Sequence, residues 1–147
     1  MVMLSSITMK DNLAKDIMTR EVVVATPETT IEDTIKLLVN HRITGLPVVD
    51  GSRKLVGIVS EYDIICSLGK DGWRTEIDPS WLKKTIPAKT KDKVGTVGED
   101  ETLENVVEQF MNTKNRRLPV VSPDGKLVGM ITRRDIIRLL FYRSRLP

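Results

Sequence analysis

Apolar positions along this chain fall into two patterns. Continuous runs, Val22 to Ala25, Leu46 to Val49 and Leu55 to Val59, predict short strands. Between and after them, apolar residues recur three or four apart, which predicts helices. After Pro27, Thr30 predicts a helix N-cap with Asp33 as its reciprocal partner, and Ile31, Ile35, Leu38 and Val39 predict the apolar face. Gly45 interrupts, and Asp50-Gly51-Ser52 predicts a turn between two strands. Ser60 then opens a helix carrying Ile64, Ile65 and Leu68. The paired strands are apolar almost throughout, so both of their faces are predicted to be covered.

The same pattern returns further along. Pro47 and Pro119, Gly57 and Gly129, and Asp63 and Asp135 are each 72 residues apart, with no insertion or deletion between. Val94 to Val97, Leu118 to Val121 and Leu127 to Ile131 predict the strands of the second copy. Thr102 caps a helix with Leu103, Val106, Val107 and Phe110 on one face; Thr132 opens another with Ile136, Ile137, Leu140 and Phe141. Each copy reads β-α-β-β-α, which predicts an α/β (α+β) fold of two repeats with pseudo-two-fold symmetry and a ligand cleft between like units. The predicted division is 10–68 for repeat 1, 69–85 for a connector, 86–141 for repeat 2 and 142–147 for a basic tail. Gly69, Gly72, Pro79 and Pro87 mark the connector, and its Trp73 and Trp81 either pin it to the body or meet a partner.

Composition narrows the chemistry. A chain of 147 residues, 40% hydrophobic and 29% charged, suits one globular domain or two half-domains sharing a core. No run approaches the roughly 20 apolar residues that cross a bilayer, so no membrane partner is expected. Met1 to Lys10 lack a long apolar run, so no signal peptide is expected. A single cysteine, Cys66, fits a reducing compartment, and a cytoplasmic protein is expected. One cysteine and one histidine, His41, do not build a zinc site, so no metal is expected. His41 falls at a helix end, where it complements the carbonyls. No Gly-x-Ser-x-Gly, phosphate-loop or Cys–His signature is present, so no catalytic residue is assigned and the chain is not read as an enzyme.

Net charge is +3, but Arg133, Arg134, Arg138, Arg143 and Arg145 face only Asp135 near the end of the chain. Such an end attracts nucleic acid. With aromatics at 4%, no stacking platform is visible, and nucleic acid is not the expected partner.

The distinctive constellation is Ser60-Glu61-Tyr62-Asp63 and its twin Thr132-Arg133-Arg134-Asp135. A hydroxyl residue ends a buried strand, a helix begins, and an aspartate follows three residues later. Read locally, each is a capping box that merely starts a helix. Read chemically, the helix start offers free amides to a phosphate, and the carboxylate can accept both hydroxyls of a ribose. The residues alone leave both readings open.

The order Leu-Pro-Val-Val, Leu-Val-Gly-Ile-Val-Ser-x-x-Asp, present twice, resembles a tandem pair of CBS domains, or Bateman module. The resemblance runs from about Ala14 to Leu140, with Asp16-Ile17-Met18-Thr19 as the lead-in to repeat 1 and Thr85-Ile86-Pro87-Ala88 as a weaker version for repeat 2. It implies a non-catalytic module binding AMP, ADP or ATP, or S-adenosylmethionine, as a regulatory ligand with no resident cofactor. It implies one site using Ser60 and Asp63 with Val94, Thr96, Asn115, Arg116 and Arg117, and another using Thr132, Arg134 and Asp135 with Val22, Val24, Ile43, Thr44 and Gly45. Backbone around Leu46 and Pro47, and around Leu118 and Pro119, would meet adenine. Face-to-face association into a homodimer is implied, through Ile and Leu on the last helix of each repeat. A regulated enzyme or transporter, as a partner docked by a scaffold with empty sites, is the alternative. Arg116, Arg117, Arg133 and Arg134 stand where repeat 1 has Thr44, Gly45, Glu61 and Tyr62, so phosphate recognition is expected to be unequal, on the Asp63 side above all. The plain reading of any one of them is a solvated arginine.

Overall fold

The computed structural model describes residues 12–71, 76–90, 94–113 and 115–144. Trp73 and Arg145, singled out above, lie outside them, as does the side chain of Arg143. In chain order the elements are α1 (Ala14–Ile17), α2 (Ile31–His41), β1 (Gly45–Val49), β2 (Leu55–Ser60), α3 (Glu61–Asp71), a 3₁₀ turn (Pro79–Lys83), β3 (Lys89–Thr90), β4 (Val97–Gly98), α4 (Leu103–Thr113), β5 (Arg117–Val121), β6 (Leu127–Thr132) and α5 (Arg133–Ser144). They form two compact units: a first of residues 22–94, and a second of residues 1–21 with 95–147.

The units share one plan. In the first, β1 and β2 pair antiparallel with Leu46 opposite Val59, and a bulge falls between Val48 and Val49. In the second, β5 and β6 pair with Leu118 opposite Ile131, and the bulge falls between Val120 and Val121. Each strand pair buries its apolar residues against the flanking helices: Leu46, Val48 and Val59 with Ile31, Leu38 and Ile64 in one unit, and Leu118, Val120 and Ile131 with Leu103, Val106 and Ile136 in the other.

The first strand of each repeat is shorter than its apolar run predicts. Of Val22 to Ala25, only Ala25 pairs, in parallel with Val48. Its N–H donates to the Pro47 carbonyl (3.0 Å) and its carbonyl accepts from Val49 N–H (2.9 Å). One step toward the N-terminus, the ladder would need an N–H from Pro47, which proline lacks. Val97, 72 residues beyond Ala25, pairs with Val120 in the same way, and Pro119 stops that ladder too, so β4 is Val97–Gly98 and not Val94 to Val97.

Helix faces also differ in detail. Thr30 Oγ1 accepts from Asp33 N–H (3.1 Å), the expected cap. The inner face of α2 is Ile31, Thr34, Ile35 and Leu38, whereas Val39 is 68% exposed. Thr34 is buried because its hydroxyl donates to the Thr30 carbonyl (2.9 Å) and so brings no unpaired polar group inside. Val39 follows Leu38 by 100° and turns off the stripe. The same rotation carries Ile65, Ile137 and Phe141 outward, leaving Ile64 and Ile136 inside. The predicted turn after β1 is held by Asp50 Oδ1, which accepts from the N–H groups of Ser52 and Lys54. Its left-handed residue is Arg53 (φ 65°), where the second copy has Gly125 (φ 84°). Trp81 is buried and its Nε1 donates to Ser67 Oγ (3.1 Å), so this tryptophan pins the connector to the first unit.

Sequence repeats and compact units are offset from one another. Asn12 to Thr19 pack in the second unit: Leu103 N–H donates to Asn12 O, Ala14 N–H to Glu101 O, and Thr19 and Met130 exchange two bonds (2.9 and 3.0 Å). Residues 84–90 pack in the first: Ile31 N–H donates to Lys84 O (2.8 Å), Thr85 bridges Thr30, and β3 lies along β2. Asn12 and Lys84, and Leu103 and Ile31, are each 72 apart, so each lead-in uses the same bond in the unit opposite to its own repeat.

Candidate functional site

The residues of interest sit where a buried strand runs directly into a helix. Ser60 ends β2 and Glu61 begins α3; Thr132 ends β6 and Arg133 begins α5. Ser60 N–H and Oγ both donate to Asp63 Oδ2 (2.9 Å each), and Asp63 N–H donates back to Ser60 Oγ (3.3 Å). Thr132 N–H and Oγ1 donate to Asp135 Oδ2 (2.7 and 3.1 Å), and Asp135 N–H returns to Oγ1 (3.4 Å). Both capping boxes predicted from sequence are therefore formed. Each clamp converges on a single carboxylate oxygen, Oδ2. Asp63 is only 8% exposed, whereas Asp135 is half-buried.

The segment before each proline is fastened to the clamp of its own unit. Glu61 N–H donates to Thr44 O (2.9 Å) and Arg133 N–H to Arg116 O (3.2 Å). Gly45 lies opposite Ser60, and Arg117 opposite Thr132. The first unit thus groups Thr44 and Gly45 with Ser60 and Asp63, and the second groups Arg116 and Arg117 with Thr132 and Asp135. These bonds also correct one expectation. The amides of Ser60, Glu61 and Asp63, like those of Thr132, Arg133 and Asp135, are spent within the protein. The helix start does not present these amides to a phosphate.

Cationic side chains are concentrated in the second unit. Arg116, Arg133 and Arg134 are exposed and Arg117 is half-buried, while the first unit has Thr44, Gly45, Glu61 and Tyr62 at the same places. Arg133 donates from Nε to Asn115 O (2.9 Å). Asn115 also lies close to Gly95, where a Cβ would come within 3.1 Å of its Nδ2. At Tyr62, the neighbouring Cys66 side chain pushes the phenol above its ordinary range.

The remaining residues divide by burial. Leu46, Pro47, Leu118 and Pro119 are core residues, so only their backbone is available to a ligand. Ile43 is half-buried against the first core. Val22, Val24, Val94 and Thr96 are half-buried. Among the described residues no three His, Cys, Asp or Glu side chains gather as a metal site, and no helix is long and apolar enough to cross a membrane.

Two copies of one α+β plan, each with a hydroxyl–carboxylate clamp at the same strand-to-helix junction, define a duplicated domain protein. The chain belongs to the CBS-domain family, whose model matches residues 14–70 and again 86–142, a tandem pair. Over 136 residues it is 41% identical to the CBS domain-containing protein CBSX1, chloroplastic, of Arabidopsis thaliana, covering 78% of this chain and 57% of that protein. The chain therefore spans little more than half the length of that relative. A crystal structure of CBSX2 in complex with AMP superposes with a TM-score of 0.76 at 32% identity, covering 90% of this chain and 98% of that one. The CBS domain pair of protein MJ0100, in complex with 5-methylthioadenosine and S-adenosyl-L-methionine, superposes with a TM-score of 0.75 at 31% identity, covering 90% and 98%.

Proposed function

We propose that this chain is a non-catalytic regulatory module that binds an adenine nucleotide, AMP, ADP or ATP, and reports its level to a regulated enzyme or transporter. The observation that carries this reading is the duplicated clamp: two aspartates fixed by their own helix starts at the same strand-to-helix junction of each unit. A carboxylate so held is pre-oriented to accept a ribose hydroxyl, which lowers the ordering cost of binding. The adenosine compounds held by CBSX2 and by the MJ0100 pair support the ligand class, with S-adenosylmethionine as a second member. Arg116, Arg117, Arg133 and Arg134 supply the charge for phosphate, by bidentate contacts that lysine or an amide would not match. The single cysteine supports a reducing compartment, and we place the protein in the cytoplasm.

Calorimetry and thermal shift with AMP, ADP, ATP, adenosine and S-adenosylmethionine test the reading. A nucleotide at about 100 times its dissociation constant should stabilise the fold by roughly 2.7 kcal/mol. The Arg116→Ala/Arg117→Ala double variant should weaken AMP more than adenosine. Equal losses for the two would return these arginines to a surface role. No stabilisation by any adenosine compound at millimolar concentration would leave the scaffold reading in its place.

A further inference from the structure

The Thr132–Asp135 clamp joins two elements, β6 and α5, and the lead-in of repeat 1 touches both. Thr19 forms a two-bond bridge with Met130, two residues before Thr132 on β6. α1 packs on α5 as well as on β6. Ala14, fully buried, and Met18, 8% exposed, share the core with Ile131, just before the clamp threonine, and Ile136, just after the clamp aspartate. Gly129 makes room for this: a Cβ there would stand 2.8 Å from Met18 Cγ and 3.1 Å from Met18 Cβ, so a larger residue would displace Met18. At the other end, Lys15 Nζ pairs with Asp100 (2.9 Å). The lead-in is thus a short segment, remote in sequence, that braces both arms of one clamp.

From this placement we infer that the lead-in, residues 12–19, is a latch on the second unit whose seating is thermodynamically linked to ligand capture by Thr132 and Asp135. A seated lead-in fixes the angle between β6 and α5, so the clamp is formed before the ligand arrives. An unseated one leaves β6 with an open edge at Met130 and removes Ala14 and Met18 from beneath the junction. Any ligand that binds the formed clamp more tightly must then favour the seated lead-in, and seating must raise affinity by the same factor. The inference rests on the nucleotide reading above, and it adds a control point: whatever pulls on or holds residues 12–19 would tune that one site.

Hydrogen exchange of the full-length protein, with AMP as the probe, tests it. AMP should slow exchange at Ala14, Thr19 and Met130, amides that open locally when the lead-in leaves. Asp135→Asn should abolish that slowing. Gly129→Ala should raise exchange at the same amides without ligand and weaken AMP at the Thr132–Asp135 clamp by about tenfold, within the usual range of coupling between sites. The affinity is measured in an Asp63→Ala background, so that the other clamp does not contribute. Should Gly129→Ala fail to fold, Met18→Ala, which removes the packing without a clash, is expected to move exchange and affinity in the same direction by a smaller factor. AMP binding that leaves these amides unchanged overturns the latch and spares the nucleotide reading. No AMP binding to the unaltered protein overturns both.

Discussion

At the scale of single residues, the same atoms serve folding and recognition. Asp63 and Asp135 each accept two hydrogen bonds at Oδ2 from the residue that ends the preceding strand. Removing either carboxylate leaves those donors to find water. Asp63 is the more deeply buried, so Asp63→Ala should cost about 1–2 kcal/mol of stability in urea titration and Asp135→Ala about 1 kcal/mol or less. Each should weaken AMP as measured by calorimetry; loss of stability with unchanged affinity would mean that they act as caps alone. A second residue-scale effect concerns Arg53. Its φ of 65° lies in the left-handed region, which disfavours side chains bearing a Cβ. The second copy has Gly125 at the corresponding place. Arg53→Gly should therefore raise stability by about 0.5–1 kcal/mol, the strain removed less the extra chain entropy lost on folding. A fall in the urea midpoint would show that the contacts of the Arg53 side chain outweigh its backbone.

At the scale of elements, α1 is too short to be stable alone, at four residues, and owes its helical turn to its surroundings. Asp16 caps it from within by accepting from Leu13 N–H (2.8 Å), and the second unit supplies the rest. Lys15 adds a charged tie. The Asp100 carboxylate beside it holds the Lys15 ammonium above the ordinary lysine range. Because the folded value is raised, the pair stabilises the docked helix fully below the unfolded lysine value and stops doing so as pH climbs through the folded one. A comparison of wild type with Lys15→Met should show a small advantage for wild type near neutrality that vanishes as pH climbs through the raised lysine value. An advantage that persists unchanged into that range would mean the pair contributes nothing and the lysine stem alone packs. The shortened first strands illustrate the opposite influence on an element. Their β-branched residues favour extension, but a parallel ladder ends where Pro47 or Pro119 has no N–H to give.

At the scale of the whole molecule, duplication has preserved more than the core. Val39 and Met111, 68% and 71% exposed, and Ile65 and Ile137, 66% and 63% exposed, are pairs at the 72-residue spacing. Tyr62 and Phe141 extend the same surfaces, at 68% and 48%. Isolated exposed apolar residues are ordinary, but here the same helix positions are apolar and exposed in both units. We propose that these exposed helix positions meet across a homodimer closed by symmetry. Sedimentation should therefore give a dimer at micromolar concentration, and Ile65→Lys/Ile137→Lys should give a monomer with an unchanged far-UV spectrum. A monomeric wild type would refute the dimer.

Much of this was legible in the order of residues. The repeat, the two hairpin strands of each copy, the caps at Thr30, Ser60, Thr102 and Thr132, and both hydroxyl–aspartate pairs depend on partners three or four residues apart, or on a pattern that a single segment carries. Local chemistry sets them, and the sequence states it. Three matters needed the tertiary structure. Where the first strands end depends on which strand lies beside them and on whether its facing residue is proline. Which apolar side chains stay outside depends on a rotation of 100° per residue against a core whose direction no single helix specifies. The docking of the lead-ins is the deepest case. Residues 12–19 bond to positions from Glu99 to Met130, and residues 84–90 to positions from Thr29 to Ile58. Duplication gives both acceptor units the same hydrophobic and hydrogen-bonding pattern, so pattern alone cannot distinguish them. Only the path of the chain in three dimensions selects, for each lead-in, the unit of the other repeat.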